Sequence, residues 1–219
     1  MNFKFYFILV VLILLSNTAT PQKTIDLSGT WTIQLDKEKQ GINNNGDWQL
    51  INLPGTLTQA KIGVKTTGSD FGILTPTYKY IGLAWYQREI TIPKNFKNKK
   101  IIIFLERVLW ESKVFIDGKP IDVQDALGTP HIHKLGILKP GKHMLTIRVD
   151  NDMIHNIGDK GHAYGEYTQS IWNGIVGRIE LQARDLTQFT SVRTFPDLDN
   201  DKLNIEFGIK SAKKGKAEI

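Results

Sequence analysis

Lys113-Val114-Phe115-Ile116-Asp117-Gly118-Lys119-Pro120-Ile121-Asp122-Val123 decides the class of fold. Two short runs rich in β-branched and aromatic residues flank an Asp-Gly pair. A two-residue turn of this kind needs positive φ at both central positions; Asp tolerates that and Gly adopts it freely, so the stretch predicts a β-hairpin. Outward from it the period stays at two. On the N-terminal side, residues 101–105 are Ile-Ile-Ile-Phe-Leu, a short apolar run suited to a strand buried on both faces. In 84–92, Tyr86, Ile90 and Ile92 share a face; in 30–35, Trp31, Ile33 and Leu35 oppose Thr32 and Gln34. On the C-terminal side, Leu145, Ile147 and Val149 align in 143–149, and Ile179, Leu181 and Ala183 in 177–183.

Pro54-Gly55, Pro93 and Pro140-Gly141 punctuate these runs. No segment of ten or more residues carries a 3.6-residue apolar stripe, so the crossover helices of a parallel sheet are missing. The expectation is an all-β chain built on an antiparallel two-sheet sandwich. Two stretches lack the alternation. Residues 54–82 hold Gly55, Gly63, Gly68, Gly72 and Gly82; residues 151–174 hold Gly158, Gly161, Gly165 and Gly174 among His155, His162, Tyr164, Tyr167 and Trp172. Long loops in a small domain are where binding concentrates.

The chain has 219 residues, 41% hydrophobic and 23% charged, a globular rather than a disordered composition. It has no cysteine, which excludes disulfides, thiolate zinc sites, iron–sulfur centres and a cysteine nucleophile. Of the formal charge of +6, Lys4 supplies +1 and the last ten residues +3, leaving +2 for the body of the chain. That is too little for a phosphate-tracking surface, and nucleic acid is not an expected partner. His131-x-His133 places two histidines on one face of an extended segment, an incomplete metal site. Neither a phosphate-binding glycine loop nor a Ser-His-Asp arrangement is identifiable, and no cofactor is expected.

At the N-terminus, Lys4 precedes an unbroken apolar run over 5–15, followed by Ser16-Asn17-Thr18-Ala19-Thr20. The run is shorter than the roughly 20 residues that span a bilayer. It predicts a signal peptide over residues 1–22, cleaved between Ser16 and Lys23, and export to a periplasm or the cell exterior without a membrane anchor after removal. At the other end, 187–195 and 202–209 read as strands joined by the turn-rich 196–201, with Leu203, Ile205, Phe207 and Ile209 on one face. A small sandwich needs about 100 residues, so the residues from Leu186 on either pair with the first domain or begin a further one. The expected layout is a sandwich over 23–185 and an incomplete second domain over 186–219.

Several strings resemble one family in order. They are Ala84-Trp85-Tyr86-Gln87-Arg88-Glu89-Ile90-Thr91-Ile92-Pro93, the hairpin segment from Leu105-Glu106-Arg107 to Asp117-Gly118-Lys119 with Asp117 where Asn is usual, Thr129-Pro130-His131, Leu138-Lys139-Pro140-Gly141, Ile147-Arg148-Val149-Asp150-Asn151, and Trp172-Asn173-Gly174-Ile175-Val176-Gly177-Arg178. Over 25–183 the chain resembles the N-terminal sugar-binding domain of family-two glycoside hydrolases, the β-galactosidase and β-glucuronidase group. The resemblance implies a galactose-binding-like jelly-roll sandwich, followed by the start of an immunoglobulin-like domain. It also implies a (β/α)8 barrel, absent from this chain, that carries the two catalytic glutamates.

Retaining glycoside hydrolysis needs two carboxyl groups about 5–5.5 Å apart. The local pairs Glu106/Glu111, Asp122/Asp125 and Asp150/Asp152 read more simply as strand-edge and turn residues. No catalytic residue is therefore assigned, and the chain alone is expected to be inactive. The resemblance implies a loop side chain, often Asp, that reaches the barrel mouth. Alignment on Gly174 puts Thr168 or Gln169 there, with Glu166 the nearest carboxylate. Thr and Gln can still bond a sugar hydroxyl. Trp172 can stack on a sugar ring or pin the loop, with Asn173 beside it, and Trp110 can face the missing barrel or be a buried aromatic. The expected partners are a carbohydrate, a β-galactoside or related glycan, and the missing C-terminal domains. The alternative is a free-standing carbohydrate-binding module or lectin-like protein with the two loops as its site; a ligand-free adhesion sandwich is the blandest reading.

Overall fold

The computed structural model describes residues 23–43, 46–68, 76–158 and 172–211. In chain order the strands are β1 (Lys23–Asp26), β2 (Gly29–Asp36), β3 (Gln49–Leu53), β4 (Gly55–Thr56), β5 (Val64–Lys65), β6 (Tyr78–Lys79), β7 (Leu83–Ile92), β8 (Lys100–Val108), β9 (Glu111–Ile116), β10 (Lys119–Gln124), β11 (His131–Gly136), β12 (Gly141–Asp150), β13 (Gly174–Arg184), β14 (Gln188–Asp197) and β15 (Lys202–Lys210). Among the described residues, one helical turn, α1 (Leu57–Ala60), and one 3-10 turn (Lys94–Phe96) interrupt them. The helical turn is closed at both ends: Thr56 and Gln59 form a capping box, and Lys61 takes the left-handed conformation at the C-cap. The Leu53–Pro54 and Leu109–Trp110 peptide bonds are cis.

Two antiparallel sheets make the sandwich. One runs β10-β9-β12-β7-β2-β3; the other runs β1-β13-β8-β11, with β4 also paired to β13. The Asp117-Gly118 pair forms the β9–β10 turn with φ of 51° and 76°, as a two-residue turn of this kind demands. The predicted faces close on one another. Trp31, Ile33, Tyr86, Ile92, Leu145, Ile147 and Val149 of the six-stranded sheet meet Ile101, Ile103, Leu105, Ile179 and Leu181 of the other, all at or below 1% exposure. Interiors of this kind supply the main stabilisation through apolar area removed from water.

Two features depart from simple alternation. The outer face of β2 is not solvated: Gln34 and Asp36 are buried because the following loop folds back over them. Asp36 accepts from the backbone N–H groups of Gln40 and Gly41 and from the Trp85 indole, and Gln34 exchanges two bonds with the backbone of Asn43. In β13 the register slips between Val176 and Ile179, where Gly177 takes φ of +75° and a Cβ would press on the Glu106 side chain. This bulge turns Arg178 onto Glu106, bonded at 2.9 Å through Nε and 3.0 Å through the backbone N–H, with the guanidinium over Phe104.

Among the described residues, β14 and β15 pair only with each other. Their register puts Phe189, Val192, Leu203, Ile205, Phe207 and Ile209 on one side of the ribbon, with Phe189 64% and Leu203 56% exposed. The tail therefore does not extend either sandwich sheet. An isolated two-stranded ribbon is marginal in water.

Candidate functional site

The segments flanking the 151–174 loop meet at one end of the sandwich, where β7 begins, β8 ends, β12 ends and β13 begins. Asp150, the last residue of β12, pairs with Leu83 on one side and Glu111 on the other. Asn151 follows, fully buried, and ties three distant pieces of chain together. Its Oδ1 accepts from the Gly82 N–H at 2.9 Å; its Nδ2 donates to the carbonyls of Tyr80 at 2.9 Å and Trp172 at 3.2 Å. The far end of the loop is held as firmly. The Asn173 carbonyl accepts from the Leu57 N–H at 2.9 Å, and the Asn173 Oδ1 accepts from the Tyr86 hydroxyl at 3.1 Å. Gly174 then pairs with Thr56 at φ of +148°, where an added Cβ would sit 2.3 Å from the Gly55 carbonyl oxygen. Only glycine fits that close approach.

Trp110 is 2% exposed, and its indole N–H donates to the Asp125 carbonyl at 2.8 Å. With Leu109 it forms a small apolar cluster against Ile154 and the half-buried Trp172. Trp110 and Trp172 are thus brought together, as packing at the root of the loop. Asn173 is buried with them, and its Nδ2 has no hydrogen-bond partner among the described residues. Glu166, Thr168 and Gln169 lie outside the described residues, as do residues 1–22 of the expected signal peptide.

The carboxylates of the site end are occupied. Glu111 pairs with Arg148; Glu106 with Arg178; Asp152 with Lys39 at 2.7 Å; Asp125 with His155 at 2.8 Å. The His155 bond holds the Asp125 carboxyl below its usual range, and the Arg178 side-chain and backbone bonds do the same for Glu106. Asp150 accepts from the Asp152 N–H and contacts Lys39 at 3.5 Å. Each therefore acts as an anchor for a loop or a strand edge. Among the described residues no three histidine or acidic side chains are placed to hold a metal ion.

The sequence reading missed a buried polar chain on the interior of β11. His131 and His133 do share a face, and it is the core-facing one; both are fully buried. His131 Nε2 lies 2.8 Å from the Ala126 carbonyl, so that nitrogen carries the proton and Nδ1 accepts. The Ser112 hydroxyl donates to it at 2.6 Å and accepts from His133 Nε2 at 2.8 Å. The His133 Nδ1 has no hydrogen-bond partner among the described residues; the Asp122 carboxylate stands 3.6 Å away, beyond hydrogen-bonding reach. Burial pushes the His133 imidazole down to about 4, with Asp122 only partly offsetting it, so the ring is neutral at pH 7 and the contact is not an ion pair there. The same-face spacing was visible in the sequence, but nothing local distinguished an interior histidine pair from a surface one.

No protein-family model matches the chain. Over 171 residues, 74% of this chain and 19% of the relative, it is 26% identical to a provisionally named beta-glucuronidase of Formosa agariphila. Among solved structures, a beta-glucuronidase from an uncultured Clostridium species superposes with a TM-score of 0.63 over 88% of this chain and 35% of its own, at 18% identity. The Ruminococcus gnavus beta-glucuronidase in complex with D-glucuronic acid gives 0.64 over 88% and 35%, at 15% identity. The family-two beta-galacturonidase of Eisenbergiella tayi bound to galacturonate gives 0.56 over 85% and 29%, at 21% identity. The chain thus resembles part of the family-two glucuronidases and galacturonidases, shares their fold over that part, and spans 19% of the curated relative's length and 29–35% of those of the solved structures.

Proposed function

We propose that this chain is the non-catalytic, N-terminal sugar-binding portion of an exported family-two glycoside hydrolase. The observation that carries this is a fold shared over 88% of the chain with only 35% of a beta-glucuronidase. In this reading residues 23–185 are the jelly-roll module, and β14 with β15 opens an immunoglobulin-like domain whose remaining strands cover the apolar side of the ribbon. A (β/α)8 barrel then supplies the acid/base and the nucleophile. The relatives are named for uronides, which moves the expected substrate from a β-galactoside to a β-linked uronic acid.

The sandwich contributes the 151–174 loop. Both of its roots are fixed by buried hydrogen bonds, a rigid support of the kind that positions a substrate contact. In this reading Thr168 and Gln169 donate to and accept from sugar hydroxyls at the barrel mouth, with Glu166 the nearest carboxylate in sequence. Trp172, Asn173 and Trp110 hold the roots. The leader over 1–22 directs export. The coding sequence downstream of Ile219 tests the assignment: the expected finding is a barrel-coding segment bearing two glutamates in the same frame, and its absence overturns the proposal.

A further inference from the structure

A cleft lies between the end of β2 and the β5–β6 ribbon. It encloses about 790 Å3 and is lined by Leu35, Lys37, Lys79, Tyr80, Ile81 and the 63–67 edge, with Gln49 at its margin. Its walls are fixed. Thr58 Oγ1 donates to the Tyr78 carbonyl, Thr66 donates through its N–H to Thr77 and through its hydroxyl to Pro76, and Gly63 approaches so closely that a Cβ would stand 2.7 Å from the Lys79 carbonyl oxygen. On the other side the Tyr80 hydroxyl accepts from the Asp36 N–H and donates to the Leu83 carbonyl.

Among the described residues, Lys37, Lys65 and Lys79 contribute to the lining and no Asp or Glu does. Lys37 and Lys65 are exposed and form no ion pair with a described residue. Beside these cations lie aliphatic Leu35, Val64 and Ile81, with Val64 72% exposed, and the hydroxyl and amide groups of Thr67 and Gln49. We propose that this cleft binds an acidic saccharide, Lys37 and Lys65 taking a uronate carboxylate and the aliphatic side chains the C–H face of a pyranose ring. A neutral glycan leaves the cations unused, and a bare inorganic anion leaves the apolar lining unused. The site shares Tyr80 with the root of the 151–174 loop, where Asn151 bonds its carbonyl, but it needs no catalytic barrel, so its test does not depend on the assignment above.

Titration of the full chain with trigalacturonate and with its methyl ester, followed by backbone amide shifts, tests this. The two trimers have the same sugar skeleton and differ in charge. The expected result is shifts at Leu35, Thr66, Thr67 and Ile81, binding of the acid roughly tenfold or more tighter than the ester, and weakening by added salt. The double substitution Lys37→Gln with Lys65→Gln is expected to weaken the acid by roughly tenfold or more while leaving the melting temperature unchanged. Equal binding of acid and ester, shifts confined to other surfaces, undiminished affinity in the double variant, or inorganic phosphate that binds as tightly as the trimer each overturns the proposal.

Discussion

Acidification should destabilise this fold through His133 before its carboxylates respond. The His133 side chain has no solvent exposure, and burial holds its imidazole at about 4 against an ordinary 6.5. Between those values the unfolded chain binds a proton that the folded chain does not, so stability rises with pH across the window and is lost as pH falls from 6.5 towards 4. At about 1.4 kcal/mol per pH unit, the full window is worth roughly 3 kcal/mol. The carboxylates held below their usual range, such as Asp36, Asp117 and Glu106, lose their contribution only as pH falls further, below about 4. His143 has the opposite sign. Against the desolvation of its ring, the bonds to Asp117 and to the Lys139 carbonyl hold its imidazole raised, so its contribution is present at acid pH and fades as pH rises. Comparing the parent chain with His133→Gln cancels His143 and leaves His131, whose imidazole burial also lowers, common to both. Urea unfolding at steps from pH 7.5 to 4 should show the parent losing roughly 3 kcal/mol more than the variant. Coincident pH profiles, or an NMR titration of the His133 ring with a midpoint near 6.5, would refute the reasoning.

Three substitutions probe the frame. Gly174→Ala forces a Cβ to 2.3 Å from the Gly55 carbonyl oxygen at φ of +148° and should cost about 2–4 kcal/mol in urea unfolding; a near-neutral result would show that β4 moves aside freely. Asn151→Ala removes the bonds to Gly82, Tyr80 and Trp172 and should cost about 2–3 kcal/mol. Amide exchange should then accelerate at Gly82, the N–H that the Asn151 side chain accepts from, and unchanged protection there would count against the anchoring role. Leu105→Ala empties a fully buried site between the sheets and should cost about 2–5 kcal/mol, read as a drop in the urea midpoint at constant slope.

Much of the frame was legible because its signals are local. The Asp117-Gly118 turn depends on two residues, the strand faces of β2, β7, β12 and β13 depend on alternation within ten residues or so, and β8 on a short continuous apolar run. What was hidden depends on distant chain. The burial of Gln34 and Asp36 has no local signal, because nothing nearby in sequence shows that residues 40–43 fold back to bond them. Asn151 stood in a quoted motif, yet its partners lie 69, 71 and 21 residues away, so its anchoring role has no local signature. His131 and His133 were placed on one face correctly, but an interior location contradicts the usual preference of histidine; Ser112, on the opposite sheet, bonds one nitrogen of each ring, and the Ala126 carbonyl takes the other nitrogen of His131. Trp110 left two readings open, and its burial together with the bond to Asp125 places it in the packing at the loop root.

The account rests on a sandwich that serves a glycosidase without performing its chemistry. Release of nitrophenol from 4-nitrophenyl β-D-glucuronide, measured for this chain by itself and for the chain continuous with the polypeptide encoded downstream, probes that division of labour. The account predicts turnover only by the longer polypeptide; turnover by the 219-residue chain alone would contradict it.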